Sequence, residues 1–150
     1  MVNLLHAHQL SVQRNASFAL HNVDCEVNAG CILGVCGPNA AGKSTLLRAL
    51  AGLEPLTTGT ITLQGQSLDA HSPMARARAI GYLAQDTVLC WSLTTRELVM
   101  LGRYPHRAPW SNWSVQDQAA FESAVHDTDI EALLARPVET YPAGNVCARI

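Results

Sequence analysis

The chain has 150 residues, of which 48% are hydrophobic and 15% charged, and its formal net charge is −2. That is enough apolar material for one folded domain with a core, and it excludes a disordered chain. There is no basic field, which excludes nucleic acid as a partner. In chain order, residues 2–12 hold enough β-branched and apolar side chains for a first strand. Residues 18–27 alternate (Phe18, Leu20, Val23, Cys25, Val27), the pattern of a half-buried antiparallel strand. Asn28-Ala29-Gly30 is a turn. Residues 31–36, Cys-Ile-Leu-Gly-Val-Cys, form a short continuous apolar run, as expected of a strand buried on both faces. Residues 43–53 read as a helix closed by Gly52.

Thr and Ile or Leu alternate over residues 59–63, a strand turned at Gly65. A short helix is expected over 73–79, with proline in its first turn, and a short strand over 80–84. Residues 94–102 are expected to be helical, with Leu98 and Leu101 on one face. A loop follows over 110–113. Ser114 is a good N-cap for a helix to about His126, and a last short helix is expected over 129–135. A small antiparallel set, then strand–helix alternation, then mostly helix, implies an α/β core with a β subdomain and a helical subdomain.

No apolar run is long enough to cross a bilayer. The start, Met1-Val2-Asn3-Leu4-Leu5-His6, lacks the basic and long apolar regions of a signal peptide, so a cytoplasmic location is expected. Five cysteines (Cys25, Cys31, Cys36, Cys90, Cys147) show no CxxC pair and no metal-finger spacing. They are expected to be reduced and mostly buried. His6 and His8 share a strand face, but two histidines without a third ligand favour a surface role over a metal site.

The central signal is Gly37-Pro38-Asn39-Ala40-Ala41-Gly42-Lys43-Ser44-Thr45, which fits G-x-x-x-x-G-K-[ST] completely. Backbone N–H groups of such a loop point inward and bind phosphate oxygens, helped by the positive end of the following helix. Gly37 and Gly42 allow the turn and the close approach. Lys43 is expected at the β- and γ-phosphates of ATP, the Ser44 hydroxyl on Mg²⁺, and Thr45 at the α-phosphate. The bland alternative is a glycine turn that binds nothing. The Lys-Ser pair at this offset, after an expected buried strand and before a helix, argues against it.

With these residues the chain resembles the ATP-binding subunits of ABC transporters, especially those of iron–siderophore, haem and cobalamin importers, over about residues 4–140. The phosphate loop matches GPNGAGKST except that Ala40 stands where the family has glycine. Gly81-Tyr82-Leu83-Ala84-Gln85-Asp86 resembles the Q-loop, which implies that Gln85 touches Mg²⁺ and the attacking water and links nucleotide to the membrane partner. The segment from Glu97 to His106, ELVMLGRYPH, is similar to one common in metal-chelate importers. It implies that Arg103 and His106 lie near the coupling surface; a solvated helix end is the alternative. Arg14 stands where many relatives stack an aromatic residue on adenine, and a guanidinium plane can stack there too.

The resemblance implies a P-loop NTPase (ABC ATPase) core. Its β subdomain and phosphate loop span about residues 1–85, a partial helical subdomain about 86–140, and an aberrant tail 141–150. It also implies integral-membrane permease subunits and a second ATP-binding subunit as partners, with the complete protein peripheral on the cytoplasmic face of the inner membrane. The family continues with an LSGGQ-type signature after a segment like 136–140; here Pro142 replaces the signature serine and Gly144 is kept. One hypothesis is a frameshift, because codons for residues 141–150 can be chosen so that a neighbouring frame restores the signature. Coding DNA in which no single-base shift restores it rejects this. Three readings compete: an ATPase subunit energising an importer, a non-catalytic truncated or frameshifted remnant that at most binds nucleotide, and a soluble P-loop enzyme such as a kinase. The last needs neither Gln85 nor the 97–106 segment.

Overall fold

A computed structural model describes residues 3–14, 17–84, 92–108 and 110–138. Gln85, Cys90, Cys147 and the tail 141–150 lie outside the described residues. The chain divides into two compact units, Met1–Tyr82 and Leu83–Ile150.

The first unit is built on an antiparallel sheet of β1 (Asn3–Arg14), β2 (Ser17–Asn28), β3 (Thr58–Leu63) and β4 (Gln66–Ser67), in the order β2-β1-β3-β4. Helices α1 (Lys43–Leu50) and α2 (Pro73–Ala79) complete it, with a 3-10 turn at Leu68–Ala70 between β4 and α2. Leu10 and Val12 are almost wholly buried and pack with Ala7, Leu20, Ile61 and Leu63 of the sheet and Leu46, Ala49 and Leu50 of α1. The buried positions of α1 (Thr45, Leu46, Ala49, Leu50) recur at helical spacing, so one stripe faces the core. The helix closes in a Schellman arrangement: the Leu53 amide donates to Arg48 O (2.8 Å) and the Gly52 amide to Ala49 O (2.9 Å). Gly52 therefore does end the helix, but the helix itself stops earlier than residue 53.

Ala7 and Leu10 are both fully buried although their odd spacing puts them on opposite faces of a regular strand. A register shift between them, with Gln9 at φ 50°, re-aims the strand. Gly59 of β3 lies against this bulge at φ +92°. A Cβ there would strike the Gln9 carbonyl oxygen and come within 2.7 Å of its carbon and of His8 O.

Two expected strands are corrected. Residues 31–36 form no ladder; Ile32 is 100% exposed and only Val35 is half-buried. Residues 80–84 likewise carry no ladder, although Ile80 has extended dihedrals. A strand buried on both faces exists only through neighbours that pair with its edges, and the sheet of the described residues offers these segments none. The cysteine expectation changes with them: Cys31 and Cys36 are exposed and Cys25 is half-buried. Strand β4 was not expected, and it follows a tight turn in which Gln64 (φ 51°) and Gly65 (φ 79°) are both left-handed.

The second unit holds α3 (Thr95–Leu101) and α4 (Val115–Thr128), with 3-10 turns at Tyr104–His106 and Glu131–Leu133. Both helices open with capping boxes, Thr94 with Glu97 and Ser114 with Asp117. The core is Phe121, Val125 and Ile130, joined by Val99, Met100, Trp113, Leu133 and Leu134. Val99 and Met100 thus form the packed face of α3; Leu101 is 51% exposed, against the expected pairing with Leu98. The segment after α4 returns to the start of α3, where Thr95 N donates to Arg136 O (2.9 Å) and Val138 N to Leu93 O (2.8 Å). The 129–135 helix is reduced to the turn Glu131–Leu133.

The bulge at Gln9 yields a paired prediction. Gly59→Ala is expected to cost about 2–3 kcal/mol, because backbone must move. Gly65→Ala has the same left-handed φ but nothing within 4 Å of the added carbon, and should cost about 1 kcal/mol. Urea midpoints of the two variants check this; equal losses would remove the clash as the cause.

Candidate functional site

Residues 37–42 are a turn that feeds α1 at Lys43. Gly42 is the N-cap, left-handed at φ 86°, ψ 5°. A Cβ at this position would run into the Ala19 carbonyl oxygen of β2 and lie 3.0 Å from Leu20 Cδ2. The position therefore requires glycine for conformation and for space. As a glycine it offers no side-chain cap, and the first turn holds no acidic residue, so the leading amides of α1 have no side-chain partner. Such a helix start attracts an anion.

The Lys43 ammonium turns back into the loop, donating to Gly37 O (2.8 Å) and Pro38 O (2.7 Å). The Ala41 amide donates to Pro38 O (3.3 Å). Pro38, Asn39, Ala40, Ala41 and Ser44 are exposed, so the concave side of the loop is open and the Ser44 hydroxyl is accessible. Thr45 is only 9% exposed and belongs to the packed stripe of α1, so its backbone amide is its main offering to a ligand. Ala40 has φ 65°, the left-handed region that disfavours alanine.

Arg14, at the end of β1, is engaged. Its Nη2 donates to Glu54 Oε1 and Oε2 (both 2.8 Å) and its Nε to Oε1 (3.1 Å). Arg48 Nε donates to the same carboxylate at 3.1 Å. The hydrogen bond from Arg14, opposed by burial and aided by Arg48, holds the Glu54 carboxyl below the usual carboxylate range. The guanidinium edge of Arg14 is taken by this pair, which leaves its planar faces for stacking. Sequence reasoning missed Glu54, since a pairing across 40 residues has no local signature.

Arg103 and His106 separate. Arg103 Nε donates to Asp117 Oδ1 (2.9 Å) and is largely covered, whereas His106 is exposed. Asp117 also accepts from the Ser114 hydroxyl (2.6 Å) and amide (3.1 Å). Arg103 is thus tied into its own unit through its Nε, which is spent on the carboxylate at the start of α4. Asp117 was missed, although the Ser-x-x-Asp spacing is a readable capping signal. His6 and His8 stack with ring centroids 6.3 Å apart, and His8 Nδ1 lies 2.9 Å from Asp24 Oδ1. Among the described residues, no three His, Cys, Asp or Glu side chains are grouped to hold a metal ion. No helix of the described residues is long and apolar enough to cross a membrane.

The geometry fits a nucleotide's phosphates: an open loop, unfilled helix-start amides, a lysine ammonium within the loop and an accessible hydroxyl beside it. The family described as ABC transporter matches residues 20–146. The ferric enterobactin transport ATP-binding protein FepC of Escherichia coli (strain K12) is 34% identical over 140 residues, covering 93% of this chain and 52% of that protein. The hemin import ATP-binding protein HmuV of Myxococcus xanthus (strain DK1622) is 37% identical over 137 residues, 90% of this chain and 50% of that protein. The chain spans about half the length of these relatives. Among solved structures, an inward-facing metal-chelate type ABC transporter superposes with a TM-score of 0.71 at 21% identity, covering 95% of this chain and 51% of the other. A dimeric ATP-binding cassette bound to ADP and Pi superposes with a TM-score of 0.76 at 19% identity, covering 93% and 64%. These superpositions carry the fold.

The Asp117 carboxyl is held down to about 2 from 3.8, first by the Ser114 hydroxyl, then by the Ser114 amide and Arg103, against an opposing burial effect. A depressed folded-state pKa gives stability that is present above the ordinary value and lost as pH falls toward the folded one. The urea midpoint of the wild type should therefore exceed that of Asp117→Asn at neutral pH, and the gap should shrink between about pH 4 and pH 2. A gap constant over that window would rule out the titration.

Proposed function

The chain belongs to the ABC transporter family, and from that premise we propose that it is the phosphate-binding part of an ATP-binding subunit that energises import of an iron chelate, haem or cobalamin. The observation that carries the phosphate-binding part of this is Gly42 opening α1 without a side-chain cap while the Lys43 ammonium sits inside the loop it follows. A triphosphate entering the loop offers its β- and γ-oxygens to Lys43, which exchanges two neutral carbonyl acceptors for charged ones, and charge-assisted bonds are stronger. The amides of α1 meet the remaining oxygens. The exposed Ser44 hydroxyl would hold Mg²⁺, which when bound neutralises charge on the β- and γ-phosphates. Arg14 keeps its faces for the base while Glu54 fixes its edge.

By family resemblance, Gln85 addresses Mg²⁺ and the water, and the complete subunit pairs with a second copy and with membrane permease subunits to hydrolyse ATP. The importer class is supported by the named transport roles of FepC and HmuV. A second reading, nucleotide binding without turnover, is favoured by the largely exposed segment 31–36, which forms no ladder and leads into the loop.

Lys43→Ala should weaken ATP binding at least tenfold, and Ser44→Ala should abolish the Mg²⁺ dependence of binding while leaving metal-free binding in place. Displacement of a fluorescent nucleotide, with and without Mg²⁺, reads both. Unchanged affinity in Lys43→Ala would end the nucleotide reading. Lys43-dependent phosphate release by the wild-type chain would end the binding-only reading.

A further inference from the structure

Among the described residues six non-glycine residues have left-handed backbones, and Ala40 differs from the other five. Gln9 and Asn22 lie within paired strands, where the ladder constrains them. Gln64 sits in the β3–β4 turn beside Gly65. Asp129 caps α4. Asn and Asp adopt this region with little cost, because their polar side chains bond locally. Trp110, like Ala40, is exposed in a loop, but no phosphate-loop residue lies near it in sequence. Ala40 has no polar side chain and is exposed, and among the described residues it makes no hydrogen bond of its own. Its left-handed turn is held from outside: by the Ala41 amide on Pro38 O, and by Lys43 gripping Gly37 O and Pro38 O. Lys43 is also the group that an incoming phosphate competes for.

We propose that Ala40 sets the affinity of the phosphate loop. Its unfavourable backbone conformation is a strain that the bound triphosphate must hold in place, so this chain grips ATP less tightly than the same loop with a residue suited to that conformation. The physical sequence is short. L-alanine prefers other regions, the residue is exposed, and the two Lys43 bonds that oppose relaxation loosen when the ammonium turns to a phosphate. With those bonds released the complex carries the cost of the Ala40 conformation, and the apparent dissociation constant rises accordingly. This rests on the reading that residues 37–45 hold a nucleotide's phosphates.

The test compares ATP dissociation constants of the full chain, by displacement of a fluorescent nucleotide, for the wild type, Ala40→Gly, Ala40→Asn, Gln64→Gly and Lys43→Ala. Ala40→Gly should bind about fivefold tighter, equivalent to about 1 kcal/mol. Ala40→Asn should also tighten, because asparagine tolerates the conformation without the added backbone freedom of glycine. Gln64→Gly relieves a similar φ outside the loop and should leave the constant unchanged. Binding in Ala40→Gly and Ala40→Asn equal to or weaker than wild type, with Lys43→Ala still impaired, overturns the proposal alone. A Lys43→Ala chain that binds like wild type removes the nucleotide reading itself and the proposal with it.

Discussion

The start of α1 rests on β2 through a glycine. Where Gly42 meets the Ala19 carbonyl, a single added carbon would collide with backbone, so helix and strand approach as closely as they do only because that carbon is missing. The neighbouring residue, Leu20, belongs to the same core as Leu46, Ala49 and Leu50 on the inner face of α1. Burying a leucine is worth about 1.5–3 kcal/mol. The phosphate loop has little of its own beyond the Ala41 amide bond and the Lys43 grip. Its position is therefore borrowed from the sheet core, transmitted through the first turn of the helix.

Charge is arranged around that helix at both ends. At its start the amides are uncapped and the first turn carries no carboxylate that would compete with a phosphate. At its end Arg48 lies in the last turn, where a cation is favoured by the helix dipole. Arg48 and Arg14 share the single carboxylate of Glu54, which is mostly covered. Two cations on one carboxylate leave a residual positive charge, so the ion cluster ties β1 to the loop after α1 without making the surface there negative.

How much of this was readable depended on the range of the forces involved. The helices at 43–50, 73–79 and 115–128 and the cap at Ser114 were legible because spacing and capping act within a few residues. Strand β1 was legible from its β-branched and apolar content, and β2 from its alternation and the turn that follows it at Gly30. The turn at 37–42 that feeds a helix was legible from its glycines and the motif, yet its seat at Gly42 against Ala19 was not, since that contact joins residues far apart in sequence. The same holds for Glu54 beneath Arg14, and for Asp117 beneath Arg103. The bulge at Gln9 was hidden because it obeys the packing of Ala7 and Leu10 rather than any preference of glutamine. Residues 31–36 show the converse: an apolar run states a preference for burial between neighbours, and the preference is unmet when the sheet pairs elsewhere.

That unmet preference bears on the site. The loop is anchored at its far end by Gly42 and α1, while its near end continues directly from residues 31–36, where Ile32 is fully exposed and no ladder forms. Gly37 O, one of the two carbonyls that Lys43 grips, is the first backbone oxygen beyond that segment. A strand laid beside residues 31–36 would cover Ile32 and Leu33, with the gain of ordinary apolar burial, and would fix the direction in which the Gly37 carbonyl points. Any pairing there would reach the Lys43 grip through one peptide unit, that of Gly37.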